Sequence, residues 1–157
     1  MGLAALALVA AGPPTIVPVL PAGLAVPIAA PYDATADAHQ AVAQALGQAR
    51  RTGKRVVLDF GGNWCPDCRM LGGVLAIPAV DTWVRDHFVL VRIDVGRKDR
   101  NLDIAAGYGV TITAVPTVLV VTADKRLVNG AEVFGLADAR HVSAQAVVDL
   151  LARWAGG

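Results

Sequence analysis

The residues best equipped for chemistry lie in one run, Trp64-Cys65-Pro66-Asp67-Cys68, which holds both cysteines of the 157-residue chain. Two residues separate the thiols. That spacing suits either a disulfide that opens and closes or half of a metal site. A disulfide closing so short a loop gains little from restricting the unfolded chain, so a purely structural role does not account for the pair. Disulfide exchange needs a thiolate, a second thiol close enough to displace the mixed disulfide, and an acceptor for the second thiol's proton. Two thiolates can also hold copper(I). A closed zinc site needs four ligands, and the chain has no second cysteine pair and no histidine close to this one.

The elements around the pair must hold it in place. Residues 55–60, Arg-Val-Val-Leu-Asp-Phe, form an apolar run with one acid near its end, the pattern of a buried strand. Gly61-Gly62-Asn63 makes a loop into Trp64, and Pro66 suits the first turn of a helix. Cys65 is therefore expected at a helix N-terminus, where free N–H groups and the helix dipole stabilise a thiolate. Asp67 works the other way. A carboxylate beside Cys65 opposes thiolate formation and tilts the pair towards reduction, with Arg69 offsetting part of the effect.

The rest of the chain supplies further elements. Asp37, with Gln40 three residues on, caps a helix whose apolar face is Val42, Ala45, Leu46 and Ala49, and which ends at Gly53. After Cys68 a helix continues until Gly72-Gly73 and Pro78 loosen or kink it; it resumes over 79–86. Residues 88–94 read as a second buried strand and 118–121 as a third. Between them lie a charged loop, a short helix over 101–107 capped by Asn101, and a Thr-rich loop. The polar turn at 123–126 suggests a hairpin into a short strand near 127–134. Ser143 caps a final helix. Alternating strands and helices imply a parallel sheet, and the hairpin implies an antiparallel edge: an α/β fold with a central mixed β-sheet flanked by helices on both faces. Trp83 and Trp154 sit on apolar helix faces and read as core. His39, His87 and His141 read as surface residues, and the run from Arg97 to Arg100 as a solvated loop.

A net charge of +1 gives no footing for a nucleic-acid partner. The first 32 residues contain no Asp, Glu, Lys or Arg. Residues 3–11 have the length and apolarity of a signal-peptide core, although no basic residue precedes them, and six prolines then rule out a long helix. Residues 1–32 are expected to be an export signal plus a flexible Pro/Ala-rich linker, and residues 33–157 a single domain. Export would place the cysteines in a bacterial periplasm, where disulfides persist; if the segment is not a signal, the location is cytoplasmic. Membrane association is expected only through an uncleaved N-terminal segment.

The run from Leu58 to Cys68 resembles the active-site signature of the thioredoxin superfamily. Val115-Pro116-Thr117 resembles that family's cis-proline loop, and Tyr108-Gly109-Val110 its approach to that loop. The similarity covers about residues 37–154 and implies a thioredoxin-like fold. It implies that Cys65 is the attacking, partly exposed thiolate and Cys68 the buried resolving thiol. Asp59 matches the buried acid that assists proton transfer at the second thiol. Pro116 would be the cis-proline facing the cysteines. Val115 would offer backbone groups to an extended substrate, and Trp64, Pro66 and Asp67 would flank it. The pattern departs from the best-known members at Gly61, where an aromatic is common, and at Pro66-Asp67. The implied function is thiol–disulfide exchange with protein substrates, as a protein-disulfide reductase or isomerase rather than a strong oxidase. It needs no cofactor beyond the Cys65–Cys68 disulfide and no metal. An upstream redox partner and a monomeric state are expected. A copper-delivery module and a redox-inert peptide-binding domain are the alternatives.

Overall fold

The computed structural model describes residues 16–156. The apolar run at 3–11 lies outside them.

Helix α1 (Ala38–Thr52) starts where Asp37 accepts a hydrogen bond from the Gln40 N–H, and ends at Gly53, whose φ of 71° suits a residue without Cβ. Strand β1 (Arg55–Gly61) follows. Helix α2 (Pro66–Leu75) and helix α3 (Pro78–His87) lead into strand β2 (Phe88–Asp94). A short helix α4 (Leu102–Ala106), strand β3 (Thr117–Val121), a single 3₁₀ turn (Gly130–Glu132) and helix α5 (Ala144–Trp154) complete the chain. The strands lie in the order β2-β1-β3, with β1 parallel to β2 and antiparallel to β3. Among the described residues no helix is long and apolar enough to cross a membrane.

Strand alternation divides the interior into two cores. Val56, Leu58 and Phe60 point to one face and pack with Val42, Leu46 and Ile93. Val57, Val118 and Val120 point to the other and pack with Leu71, Leu75, Trp83, Leu136, Leu151 and Trp154. Each large aliphatic or aromatic side chain so buried contributes about 1.5–3 kcal/mol. Asp59, two residues from Val57 on the same strand, belongs to the second face and is only 1% exposed.

Four local expectations are corrected. First, residues 16–32 do not behave as a flexible linker. They form an extended strap on α2 and α5: the Ile28 N–H donates to the Arg69 carbonyl at 3.0 Å, Arg69 Nε donates to the Ile28 carbonyl, and Gln145 binds both Leu20 and Pro18. Second, Gly72 and Gly73 neither kink nor loosen α2; the break comes after them, between Leu75 and Pro78. Their purpose is closeness, because a Cβ on Gly73 would collide with the Val26 carbonyl and one on Gly72 with Ile28 and Pro31. Third, residues 127–134 make only one isolated bridge, Val121 to Leu127, and no strand. The buried Asn129 amide takes a strand's place: its Oδ1 accepts from the Val120 N–H at 2.8 Å and its Nδ2 donates to the Val118 carbonyl at 2.9 Å. Fourth, Asn101 makes no side-chain cap for α4; its Nδ2 donates to the Asp94 carbonyl instead.

Candidate active site

The end of β1 and the start of α2 set the site. β1 delivers Asp59 into the interior, and Gly61-Gly62-Asn63 turns the chain outward. Pro66 occupies the first turn of α2, where its missing N–H costs nothing, so Cys65 becomes the N-cap residue. The Cys65 Sγ accepts a hydrogen bond from the Cys68 N–H at 3.2 Å. Both cysteines are free thiols.

The two sulfurs differ in environment. Hydrogen bonding with the Cys68 thiol, together with the backbone N–H groups of Cys68 and Asp67, lowers the Cys65 pKa to about 7, against the opposing effects of burial and the Asp67 charge. The hydrogen bond with Cys65, burial and nearby negative charge all push the Cys68 thiol up. One thiol is thus poised to ionise near neutrality while its neighbour keeps its proton.

Cys65 is more enclosed than expected, at 3% exposure. Its S–H donates to the Val115 carbonyl at 3.5 Å, and Val115 packs over it. The Val115–Pro116 peptide is cis, and Pro116 is buried. Trp64 stands at the rim, 40% exposed, with its indole N–H donated to the Gly96 carbonyl at 2.7 Å. The Arg97 guanidinium lies 4.9 Å over the Trp64 ring, so this residue of the charged loop is not simply solvated.

Asp67 does not turn its charge freely on Cys65. Its Oδ1 accepts from the Arg140 backbone N–H at 2.9 Å and from Arg140 Nε at 3.1 Å. The Asp67 charge still opposes ionisation of the Cys65 thiol, and the Arg140 guanidinium beside it offsets part of that charge. Among the described residues, Asp67, Asp138 and His141 lie close enough together to gather round a cation, and neither cysteine is among them.

Behind the thiols lies a residue that sequence reasoning missed. Tyr32, at the end of the strap, is 3% exposed and packs with Cys65 and Cys68. Its hydroxyl donates to Asp59 Oδ1 at 2.8 Å, while Asp59 Oδ2 has no hydrogen-bond partner among the described residues. Burial raises the Asp59 pKa to about 6, against the lowering effects of the Tyr32 hydrogen bond and the Arg92 charge. Burial and the neighbouring Asp59 and Cys68 drive the Tyr32 hydroxyl far up, so it stays protonated. Asn63 clamps the Tyr32 backbone at two points: its Oδ1 accepts from the Tyr32 N–H at 3.0 Å, and its Nδ2 donates to the Tyr32 carbonyl at 2.9 Å. Gly61 is required here, because a Cβ would collide with the Tyr32 hydroxyl and lie 2.8 Å from the Cys68 sulfur. An aromatic side chain at position 61 has no room, which accounts for that departure from the commoner pattern.

Comparison with known proteins agrees with this geometry. The sequence pattern of the thioredoxin-like family matches residues 37–123. A disulphide isomerase from Xylella fastidiosa Temecula1 superposes with a TM-score of 0.74 at 40% identity, covering 79% of this chain and 95% of that one. A thioredoxin from Mycoplasmoides gallisepticum is 35% identical over 80 residues, 48% of this chain and 72% of its own length. A thioredoxin-like protein from Fusarium culmorum is 35% identical over 92 residues, 58% of this chain and 72% of its own.

Proposed function

The chain belongs to the thioredoxin-like family, and from that premise we propose that it is a protein thiol–disulfide reductase or isomerase. Cys65 is the nucleophile and Cys68 the resolving thiol. The observation that carries this reading is the placement of the two sulfurs: Cys65 caps the start of α2 with its Sγ accepting from the Cys68 N–H at 3.2 Å, and Cys68 is fully buried one turn further on. In the first step the Cys65 thiolate attacks a substrate disulfide, forming a mixed disulfide and releasing one substrate thiolate. In the second, Cys68 loses its proton and attacks Cys65 Sγ. The Cys65–Cys68 bond forms, the mixed disulfide breaks, and the electron pair leaves on the substrate sulfur.

A thiol near 7 resembles thioredoxin, at about 7, and not strong oxidases, at about 3.5, which supports reduction or isomerisation over disulfide donation. Val115 packs over Cys65 and Trp64 stands exposed next to it in the chain, and an extended substrate segment meeting the protein at these residues is part of the proposal. Export, with Cys65 and Cys68 working in a compartment where disulfides persist, is part of the proposal, as are a protein redox partner that resets the pair and a monomeric state. The test is trapping: Cys68→Ser, expressed in the native compartment, accumulates protein adducts through Cys65 that dissolve on reduction. Absence of reducible adducts, with Cys65 intact and alkylatable, contradicts the reading.

A further inference from the structure

Resting on the oxidoreductase reading above, we propose that Tyr32 is the proton relay between Cys68 and Asp59 in the resolving step. The strap that carries it precedes the span matched by the family pattern. Geometry brings the three groups together. The Tyr32 hydroxyl donates to Asp59 Oδ1 at 2.8 Å and packs against Cys68. The bare Gly61 Cα lets hydroxyl and thiol converge. Cys68 is fully buried, so water does not reach its thiol in this conformation. A buried thiol that must lose a proton needs an internal route.

As Cys68 Sγ attacks Cys65 Sγ, the Cys68 proton passes to Tyr32 Oη while the Tyr32 proton passes to Asp59 Oδ1. Tyr32 ends as it began, Asp59 is protonated, and the substrate leaves as thiolate. The groups that face Asp59 are Tyr32 from the strap, Cys68 from α2 and Arg92 from β2, with apolar Val118 on the β3 side. Among the described residues the Tyr32 hydroxyl is the one group hydrogen-bonded to the Asp59 carboxyl, whose other oxygen has no partner, which leaves Tyr32 as the donor in contact. Placement is deliberate on both sides: Asn63, in the active-site loop, holds the Tyr32 backbone, and the glycine pair of α2 seats the strap behind it.

The experiment follows the reduced protein mixed with a thionitrobenzoate disulfide. Attack by Cys65 releases the first thionitrobenzoate and resolution by Cys68 the second, so the two steps appear as two phases. Tyr32→Phe keeps the ring and removes the hydroxyl. It is expected to slow the second phase by at least about tenfold and to abolish its rise through pH 6, leaving the first phase unchanged. In an Asp59→Asn background it should slow the second phase no further. A wild-type second phase in Tyr32→Phe, or additive losses in the double variant, overturns the relay while leaving the oxidoreductase reading intact. A wild-type protein with no second phase overturns both. If Tyr32→Phe does not fold, Asn63→Ala, which frees the Tyr32 backbone and keeps the hydroxyl, must slow the second phase in the same sense. A folded Asn63→Ala with a wild-type second phase overturns the proposal.

Discussion

Ionising Asp59 inside the folded protein costs stability, and the cost can be read from pH dependence. The carboxyl titrates near 3.8 when free and at about 6 in the fold, chiefly because it is buried among Val57, Leu71, Leu75 and Leu136. Between those two values the native state binds more protons than the unfolded state, so stability falls as pH rises. The stabilisation is fully present below pH 3.8 and lost by the time pH has passed through 6. Each pH unit of difference is worth about 1.4 kcal/mol, so the ionised form is about 3 kcal/mol less stable than the protonated one. Asp59→Asn keeps the shape and removes the titration. Relative to wild type it should gain about 2.5 kcal/mol on going from pH 4 to pH 8, whatever its offset at pH 4 from exchanging an acid for an amide. The assay is urea unfolding of both proteins at several pH values with the cysteines kept reduced, read as the difference between them. Other titrating groups cancel in that difference. A wild-type-minus-variant difference that is flat from pH 4 to pH 8, or that grows in favour of wild type, refutes the reasoning.

Three further outcomes are expected. Asp67→Asn should lower the Cys65 pKa by less than about half a pH unit, because the Arg140 pair already screens the carboxylate, and alkylation rate against pH will read it. Gly73→Ala should destabilise the protein by about 1–3 kcal/mol and expose the strap to proteolysis, since the new methyl group collides with the Val26 carbonyl. Asn129→Ala leaves the Val120 N–H and the Val118 carbonyl without partners in a buried site and should cost about 2–4 kcal/mol in urea unfolding.

What the sequence discloses is what is decided locally. The Asp37 cap, the β-branched run before Asp59, the helix start at Cys65-Pro66 and the apolar stripe of α5 each depend on neighbours within a few residues. Tyr32 has no such signal. It sits at the end of a proline-rich stretch without periodicity, and its importance arises from Asp59 and Asn63, 27 and 31 residues away. Gly72 and Gly73 mislead for the same reason: helix propensity marks them as breakers, whereas close approach by a distant segment requires them. The misreading of 127–134 is subtler. The polar turn before it is real, but one side chain meets the hydrogen-bonding needs of β3 that a strand would otherwise have met. The charge of Asp67 is likewise tempered by Arg140, a partner 73 positions further along the chain that no local pattern announces.

The Asn129 arrangement also bears on self-association. Outward from β3, the Val118 N–H is donated to the Val133 carbonyl and the Val120 carbonyl accepts from the Val128 N–H. Asn129 occupies the Val118 carbonyl and the Val120 N–H between them. An extended chain arriving at that edge finds no free donor or acceptor on these residues, so strand addition is blocked there without any strand being present. The side chain that stabilises the fold at β3 also keeps that edge from serving as a template.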